Sequence, residues 1–512
     1  MTPLLTGLLL VLWASLPASA EVADRDRVRL TTDRLDLVFS LEGASPIGWR
    51  ACHPSCALAD RASGTSVRFT GPDDRPQPRL VLRDPAAPLD LGRLRFSAAI
   101  TEDARARIVT FQADLPVEGV RLVESFEASR DGYEVVMTVR LLGPNAAAWA
   151  AGRRIGVELE AGRDLVPAPA AGFTAMLDRV GPVIVGPAGA RVPGADGPAA
   201  TRLDAGDWAG LRSRFWALVV QPAGANTVAA RSGAGLTLVA EEPGALSWRA
   251  VFYSGPVEDR ALTRADPELG GLLFSGLWAW LRPLAVALLA LLGRLIAIIG
   301  PPGVAVVALA LSVKILLLPL TAVAKRLQDQ VNAIQARLQP GLDAIHAAHR
   351  GEERLRRTLA LYREEGVHPM YALRSLLGFL IQFPVFIAVF DMLAENFALY
   401  RVSFLWIPDL SRPDALARLP LCLPFFGCHL NLLPFLMSGI SAAALLRFRA
   451  PALTPPLVRR QKRNLLGMTL LFFVLFYTFP AGMVLYWTST NAVQLLGQEL
   501  GRLRRDPRRT PG

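Results

Sequence analysis

The stretch VALALSVKILLLPLTAVAKR, residues 307–326, has the composition of a membrane-spanning helix except at one position. Lys314 lies near the middle of this apolar segment. A charged side chain at the centre of a bilayer costs about 3 kcal/mol on insertion scales. The stretch therefore predicts a membrane protein and a special environment for this lysine.

The composition of the whole chain agrees with several membrane spans attached to a soluble domain. Of the 512 residues, 52% are hydrophobic, which is too apolar for a single soluble domain. Apolar runs of span length cluster in the second half of the chain. The net charge is +11, but the basic residues fall mostly between the hydrophobic segments, as the positive-inside rule expects. This distribution argues against specific nucleic-acid binding.

The N-terminal segment 1–20 has the pattern of an export signal. An apolar core from Leu4 to Leu16 leads to an A-x-A motif at Ala18 and Ala20. We expect a signal peptide, or a signal-anchor if the segment is retained. Either one places the chain from Glu21 onward outside the cytoplasm.

Residues 21–265 have the pattern of a β-sandwich outside the membrane. RIVTFQADL (107–115) alternates, and the run 120–142 contains two alternating stretches with a turn at Asp131-Gly132. A Gly/Ala/Pro-rich stretch, 161–200, predicts a loop or linker. The domain has no nucleophile elbow, glycine-rich phosphate loop or paired-carboxylate signature, so nothing in it predicts an enzyme.

The charge pattern decides the topology of the helical half. The loop after the Lys314 segment is rich in arginine and should be cytoplasmic, so an odd number of crossings must precede it. We therefore assign 266–303 to a linker and an interfacial amphipathic helix, about 279–297, with Trp278 and Trp280 as headgroup anchors. The helical core, 304–500, then has five transmembrane helices, at about 304–323, 375–394, 430–446, 464–479 and 481–499, followed by a basic cytoplasmic tail, 501–512. The predicted fold class is a polytopic α-helical membrane protein with an N-terminal extracytoplasmic β-sandwich.

A polar insertion at 323–366 separates the first two predicted spans. Two helical patterns flank HRGEE, which predicts an antiparallel helical hairpin in the cytoplasm. It is either a solvated connector or a docking arm. A loop that only reverses the chain would be shorter, which favours the docking arm.

The four cysteines are Cys52, Cys56, Cys422 and Cys428, and all fall on the predicted outer, oxidising side. Two local disulfides are plausible, and free thiols are the alternative. A metal at CHPSC would have only Cys52, His53 and Cys56 nearby, so we expect neither a metal site nor a cofactor.

Three explanations exist for Lys314: its head reaches an interface, it pairs with Asp391, or it faces a water-filled cavity. Its central position argues against the first, and Asp391 lies near the outer end of its predicted span. An unpaired intramembrane charge usually faces water, so we favour a cavity.

The last predicted span supports the cavity because its polar residues share a face. Trp487, Asn491, Gln494 and Gln498 follow an i, i+4, i+7, i+11 pattern. Interhelical hydrogen bonds alone would also explain such residues. Together with an uncompensated lysine they suggest a hydrophilic groove, whose predicted residues are Lys314, Ser312, Gln382, Trp487, Thr488, Thr490, Asn491 and Gln494.

Several fragments in this order and spacing resemble the YidC-type membrane protein insertases. They include ILLLPLTAVAKRLQ, LYREEGVHP, LIQFPVF, FLWIPDLSRPD and FPAGMVLYWTSTN, and SRDGYEVVMTV and WAGLRSRFWALVVQP resemble the periplasmic domain of Gram-negative members. The resemblance implies a five-helix core around a hydrophilic groove that is closed toward the outside. The groove cation of the family, usually arginine, corresponds to Lys314, and the cytoplasmic hairpin corresponds to 323–366.

The resemblance also implies a function and a set of partners. The expected activity is insertion of nascent membrane proteins into the bacterial inner membrane, alone or with the Sec translocon. The hairpin and basic tail would meet the ribosome or targeting machinery, and the lipid bilayer would receive the inserted segments. The alternative is a secondary transporter with Lys314 in its substrate or proton site, although no inverted repeat is visible. The sequence has no Walker motif, so ATP hydrolysis is not expected.

Overall fold

The computed structural model describes most of the chain outside the N-terminal segment. The described residues are 26–58, 64–70, 78–83, 91–159, 165, 172, 174–187, 189–192, 200–223, 227–232, 235–241, 243–368, 370–371, 373–447 and 455–503. The predicted signal segment, most of the basic tail and about half of the predicted loop or linker, 161–200, lie outside these ranges. The chain divides into two compact units, the first made of residues up to 160 with 222–228 and 237–252, the second of 161–221, 229–236 and 253–512.

The β-rich region precedes the helices along the chain. Its strands are β1 Arg27–Thr31, β2 Leu35–Ser40, β3 Pro46–His53, β4 Thr65–Arg68, β5 Arg79–Arg83, β6 Ser97–Glu102, β7 Ala106–Asp114, β8 Arg121–Ser129, β9 Glu134–Leu142, β10 Arg154–Leu159, β11 Gly181–Gly186, β12 Gly189–Arg191, β13 Ala200–Leu203, β14 Trp208–Arg212, β15 Trp216–Pro222, β16 Thr227–Ser232, β17 Gly235–Ala240 and β18 Ser247–Pro256. A short hairpin, β19 Ala417–Leu423 and β20 Gly427–Leu430, lies among the helices.

Three short helices and eight longer ones lie in the described residues. The short ones are α1 Ala146–Ala150, α2 Thr174–Leu177 and α3 Asp259–Ala265. The longer ones are α4 Arg282–Ile299, α5 Pro302–Leu316, α6 Leu318–Ala348, α7 Gly351–Glu364, α8 Leu373–Ala394, α9 Leu432–Leu446, α10 Pro455–Phe476 and α11 Ala481–Leu503. The chain therefore has a β-rich N-terminal region and a helical C-terminal part.

The core of the first unit lies between two antiparallel sheets. One contains β1 to β4, and the other contains β6 to β9, each strand pairing with the next. Phe39 of β2 lies with its ring centroid 5.4 Å from that of Phe111 and 4.7 Å from that of Phe126. The alternating side chains of both sheets therefore meet in one apolar layer, as the period-two pattern of the sequence predicts.

The predicted span 304–323 is not one straight helix. It is broken at Leu317 into α5 and α6, which are bent by 58°. Pro319 lies in the first turn of α6, and a proline has no N–H to continue the hydrogen bonding of the preceding helix. The new helix direction carries the chain into the hairpin of α6 and α7, where Arg337 pairs with Glu365 at 3.1 Å.

The last two helices also differ in extent from the predicted spans. α10 starts at Pro455 rather than near residue 464, so Arg459, Arg460 and Arg463 are part of the helix and not of a loop. α11 extends to Leu503. Polar residues at the ends of an apolar run do not stop a helix, because arginine and lysine have high helix propensity.

Only one described helix, α4, is long and apolar enough by itself to cross a membrane. The bent pair of α5 and α6 makes a second if it is counted as one span, and α9 is a shorter apolar helix. α4 packs against α5 and α8 and buries Ala285, Leu288 and Leu292.

A candidate polar groove around the last helix

Lys314 lies in the last turn of α5 and is half-buried. Its Nζ donates a hydrogen bond of 3.1 Å to Oε1 of Gln494 on α11. With a rise of about 1.5 Å per residue, Lys314 lies about 18 Å from the start of α5 and Gln494 about 20 Å from the start of α11. The two predicted groove residues therefore meet at a similar depth along neighbouring helices.

Asn491 lies on α11 close to one turn before Gln494 and faces another helix. Its Nδ2 donates to Oγ of Ser441 on α9 at 3.0 Å. Ser441 was not among the sequence-predicted residues. The only signal for it was a small polar residue in the apolar run LMSGISAAALL, which does not reveal the partner helix.

Trp487, one turn earlier on α11, lies among aromatic rings. Its ring centroid is 5.0 Å from that of Phe386 on α8 and 5.4 Å from that of Phe476 on α10. Phe476 in turn lies 4.8 Å from Phe479. The stripe on α11 thus touches α5, α8, α9 and α10, with aromatic contacts at one end and polar contacts farther along.

The predicted residues that carry hydroxyl groups donate hydrogen bonds within their own helices. Thr488 and Thr490 donate to the carbonyls of Val484 and Tyr486, and Ser312 donates to that of Ala308 at 2.9 Å. Hydroxyls bonded in this way satisfy their donor locally and leave lone pairs free to accept further hydrogen bonds. Gln382 is exposed on α8, and among the described residues it contacts none of the other groove side chains by a hydrogen bond.

Burial changes along α11. Residues 481–486 are all buried, whereas Gln494 and Gln498 are exposed. The polar stripe therefore continues from a buried start of α11 to an exposed end.

The loop between α8 and β19 covers the start of α11. The first N–H groups of α11, at Ala481 and Gly482, donate to the carbonyls of Arg412 at 2.7 Å and Leu410 at 2.8 Å. A Cβ on Gly482 would lie 3.2 Å from that carbonyl oxygen of Leu410, so only glycine allows this approach without adjustment.

The same loop caps α9. Oδ2 of Asp414 accepts from the N–H groups of Leu432 at 2.7 Å and Leu433 at 2.9 Å, and from the indole of Trp406 at 3.1 Å. These contacts satisfy helix N–H groups that would otherwise lack partners. Sequence reasoning missed this role, because the capping residue lies far along the chain from the helix it caps.

Asp391, the rival partner of Lys314, makes no hydrogen bond to it in the described part of the chain. Its Oδ2 is buried without a hydrogen-bond partner there. The structure therefore matches Lys314 with a neutral amide rather than with a carboxylate.

The four cysteines form two disulfides in the structure, Cys52 with Cys56 and Cys422 with Cys428. His53, between the first pair, has its Nδ1 3.1 Å from the hydroxyl of Tyr133, and burial lowers the pKa of His53 to about 4. In the described residues, no three side chains suited to a metal converge.

The helical half of the chain is similar to known membrane proteins. Residues 295–505 match the family model described as 60Kd inner membrane protein. The membrane protein insertase YidC of Ralstonia nicotianae is 33% identical over 260 residues, which cover 50% of this chain and 42% of that protein. The YidC of Chlamydia caviae is 30% identical over 269 residues and 33% of its length is covered.

The helical part of this chain is similar to the YidC-type family. The matched region contains α5 to α11 and therefore every residue of the candidate groove. This chain spans about two fifths of the length of the first of these YidC relatives. A solved YidC insertase aligns over 93% of this chain at 16% identity, but the TM-score of 0.36 is too low to support an argument about the fold.

Proposed function

We propose that this protein is a membrane protein insertase that helps nascent membrane proteins integrate and fold in the bacterial inner membrane. The contact that carries the proposal is the hydrogen bond between Lys314 and Gln494, inside a stripe that is buried at one end and exposed at the other. The names of the YidC relatives support the same activity.

In the proposed mechanism, the groove replaces bulk water for the polar flank of an incoming segment. Lys314, Asn491 and Gln494 offer donors and acceptors at membrane depth, which lowers the barrier for carrying a short hydrophilic tail partway across. The apolar stretch of the client, about 20 residues long, then partitions into lipid, and burial of its surface supplies the driving force. The positive charge of Lys314 favours acidic flanks. No covalent step is involved.

The proposed arrangement is a core of five membrane-crossing helices behind a periplasmic β-rich domain. α5 with the start of α6, α8, α9, α10 and α11 cross, while α4 lies at the outer interface. The hairpin of α6 and α7 faces the cytoplasm, where it would meet the ribosome or targeting machinery. The sealed start of α11 then faces outward and the exposed end faces inward, and the Sec translocon is a partner for larger clients.

The test is insertion by the purified full-length protein in proteoliposomes. A short client with one apolar segment and an acidic tail is synthesised in their presence, and protease protection of the tail is measured. We expect protection above that of empty liposomes for this client. Protection equal to that of empty liposomes, with a saturable flux of a small solute instead, would support a secondary transporter and overturn the proposal.

A further inference from the structure

A cavity with a volume of about 740 Å³ lies in the β-containing part of the second unit. It is bounded by β11, β12 and β14, by the segment before α4 and by the residue that follows α8. Five of its lining side chains are guanidinium groups and one is a carboxylate: Arg179, Arg191, Arg212, Arg214, Arg231 and Glu395. We propose that this cavity binds the phosphate of an anionic phospholipid headgroup from the outer leaflet.

Arg214 is the most buried of these arginines, with 4% of its surface exposed. It donates to the carbonyls of Ala394 at 2.6 Å and Ser411 at 3.0 Å, and it lies 3.3 Å from Asp178. Its Nη2 is nevertheless buried without a hydrogen-bond partner in the described residues. A buried charged donor without a partner is rare in proteins, and an unseen ligand is one of its ordinary explanations.

Arg212, which lines the same cavity, also has one buried nitrogen that lacks a partner in the described part of the chain. Its two terminal nitrogens bond to Ser275 and Glu395, each at 2.5 Å, while its Nε is buried without a partner among the described residues. Each of these two guanidinium groups thus has one nitrogen that no described residue partners and that is also shielded from solvent, and a ligand would reach it through a shift of the side chain. Phosphate oxygens accept from guanidinium groups in this way, with shorter and stronger bonds than neutral acceptors form.

The carboxylates that pair with these arginines mostly lie outside the lining. Asp178 pairs with Arg214, and Asp207 pairs with Arg191, yet neither lines the cavity. Glu395 is the one acidic lining residue, and Asp391 lies within electrostatic range of Arg212. The lining itself therefore carries more guanidinium groups than carboxylates, and three of its five arginines pair with Asp178, Asp204, Asp207 and Glu395.

The position of the cavity points to a lipid as the source of the phosphate. Ser275 and Gly276 line it, and the exposed side chains of Trp278 and Trp280 follow directly, their rings stacked at 6.3 Å. The apolar helix α4 then begins at Arg282. Exposed tryptophans next to an apolar helix are typical of the headgroup level of a membrane. A phosphate in the cavity would lie at that level.

Native mass spectrometry of the full-length protein in detergent tests the proposal with three probes: dioctanoyl phosphatidylglycerol, dioctanoyl phosphatidylcholine and inorganic phosphate. We expect phosphatidylglycerol to bind most tightly. Two variants, Arg212→Gln/Glu395→Gln and Arg179→Gln/Arg231→Gln, should each weaken it about tenfold through loss of charged donors. Arg27→Gln/Arg140→Gln removes two exposed arginines of the first unit and should leave binding unchanged.

Each other outcome overturns the proposal. Equal binding of phosphatidylglycerol by both cavity variants and the control variant would place the lipid elsewhere. Equal affinity for inorganic phosphate would identify a site for a soluble anion instead, and equal affinity for phosphatidylcholine would exclude selection by charge. Circular dichroism checks whether Arg212→Gln/Glu395→Gln folds. If it does not, the binding of phosphatidylglycerol by Arg179→Gln/Arg231→Gln tests the proposal, because both of its arginines are exposed.

Discussion

Lys314 has a neutral partner, and this decides how its substitution should behave. Because Gln494 carries no charge, Lys314→Ala leaves no unmatched carboxylate, and it makes α5 cheaper to insert. We expect normal protein levels but reduced insertion, most strongly for clients with acidic tails. Lys314→Arg keeps the charge on a long stem and should retain most activity. Membrane abundance by immunoblot and client insertion by protease protection measure the two effects separately.

The matched control is Lys325→Ala, which removes the same charge from an exposed position on α6. It should leave insertion unchanged. Full insertion of every client by Lys314→Ala would rule out the groove role. A fall in protein level on the same substitution would instead indicate a buried ion pair, for which about 3 to 5 kcal/mol would be lost when one partner is removed.

Glu124 is an unusual residue of the β-rich region because it lies on the inward face of β8. It is 1% exposed, and its Oε1 has no hydrogen-bond partner in the described residues. Burial raises the pKa of Glu124 to about 8, so the folded protein keeps this carboxyl protonated at neutral pH. Alternation along RLVESFEAS places it with Leu122 and Phe126, but the sequence analysis did not use this signal.

The raised pKa gives a pH-dependent contribution to stability with a definite sign. Unfolded Glu124 ionises near its ordinary pKa of about 4.3, so the folded state binds the extra proton between that pH and about 8. The free energy of unfolding should fall as pH rises through this window, by at most about 1.4 kcal/mol per pH unit. Pulse proteolysis in urea at pH 5 and pH 8 measures it. Glu124→Gln should show a smaller fall than the parent, and an equal fall would contradict the assignment.

In the helical half, the type of each secondary-structure element could be predicted from the sequence better than its first and last residues. Apolar runs located α8 and α9 within a few residues, but the break at Leu317 and the early start of α10 were not foreseen. The composition of a segment indicates whether a helix can contact lipid or water. A bend, in contrast, depends on the position of a single proline in the pattern of backbone hydrogen bonds. In the groove, the residue types were predictable, but their partner helices were not.

The hairpin of β19 and β20 is held by a disulfide, which the sequence suggested, and by contacts with Tyr477, which it did not. Cys422 and Cys428 form a disulfide, and Phe426 lies 5.0 Å from the ring of Tyr477 near the end of α10. The hydroxyl of Tyr477 also donates to the carbonyl of His429 at 3.1 Å. The hairpin therefore covers the outward end of α10 in the proposed topology.

We predict that this disulfide forms in the cell because an outward position is oxidising. Non-reducing mass spectrometry of the purified protein should find Cys422 and Cys428 in one linked peptide. A maleimide should modify neither cysteine until a reductant is added. Modification of both without prior reduction would refute the pairing and leave the topology open.

At the scale of the whole helical part, the contacts at the two ends of α11 differ in kind. The start is covered by backbone hydrogen bonds from the loop before β19 and by the aromatic rings around Phe476. The end carries exposed amides. Which end faces the cytoplasm depends on the number of crossings before α6.

That number can be measured by cysteine labelling in intact spheroplasts, because α4 is the one described helix before α5 that is long and apolar enough by itself to add a crossing. The introduced cysteines are Glu352→Cys on α7 and Ala417→Cys at the start of β19, both exposed, with Glu118→Cys in the β-rich region as the external reference. If α4 lies along the interface, an impermeant maleimide labels Ala417→Cys and Glu118→Cys at once. Glu352→Cys then reacts only after the membrane is opened, because the arginine-rich hairpin is cytoplasmic. The reverse pattern, with Glu352→Cys labelled and Ala417→Cys protected, would mean that α4 crosses and that the groove opens outward.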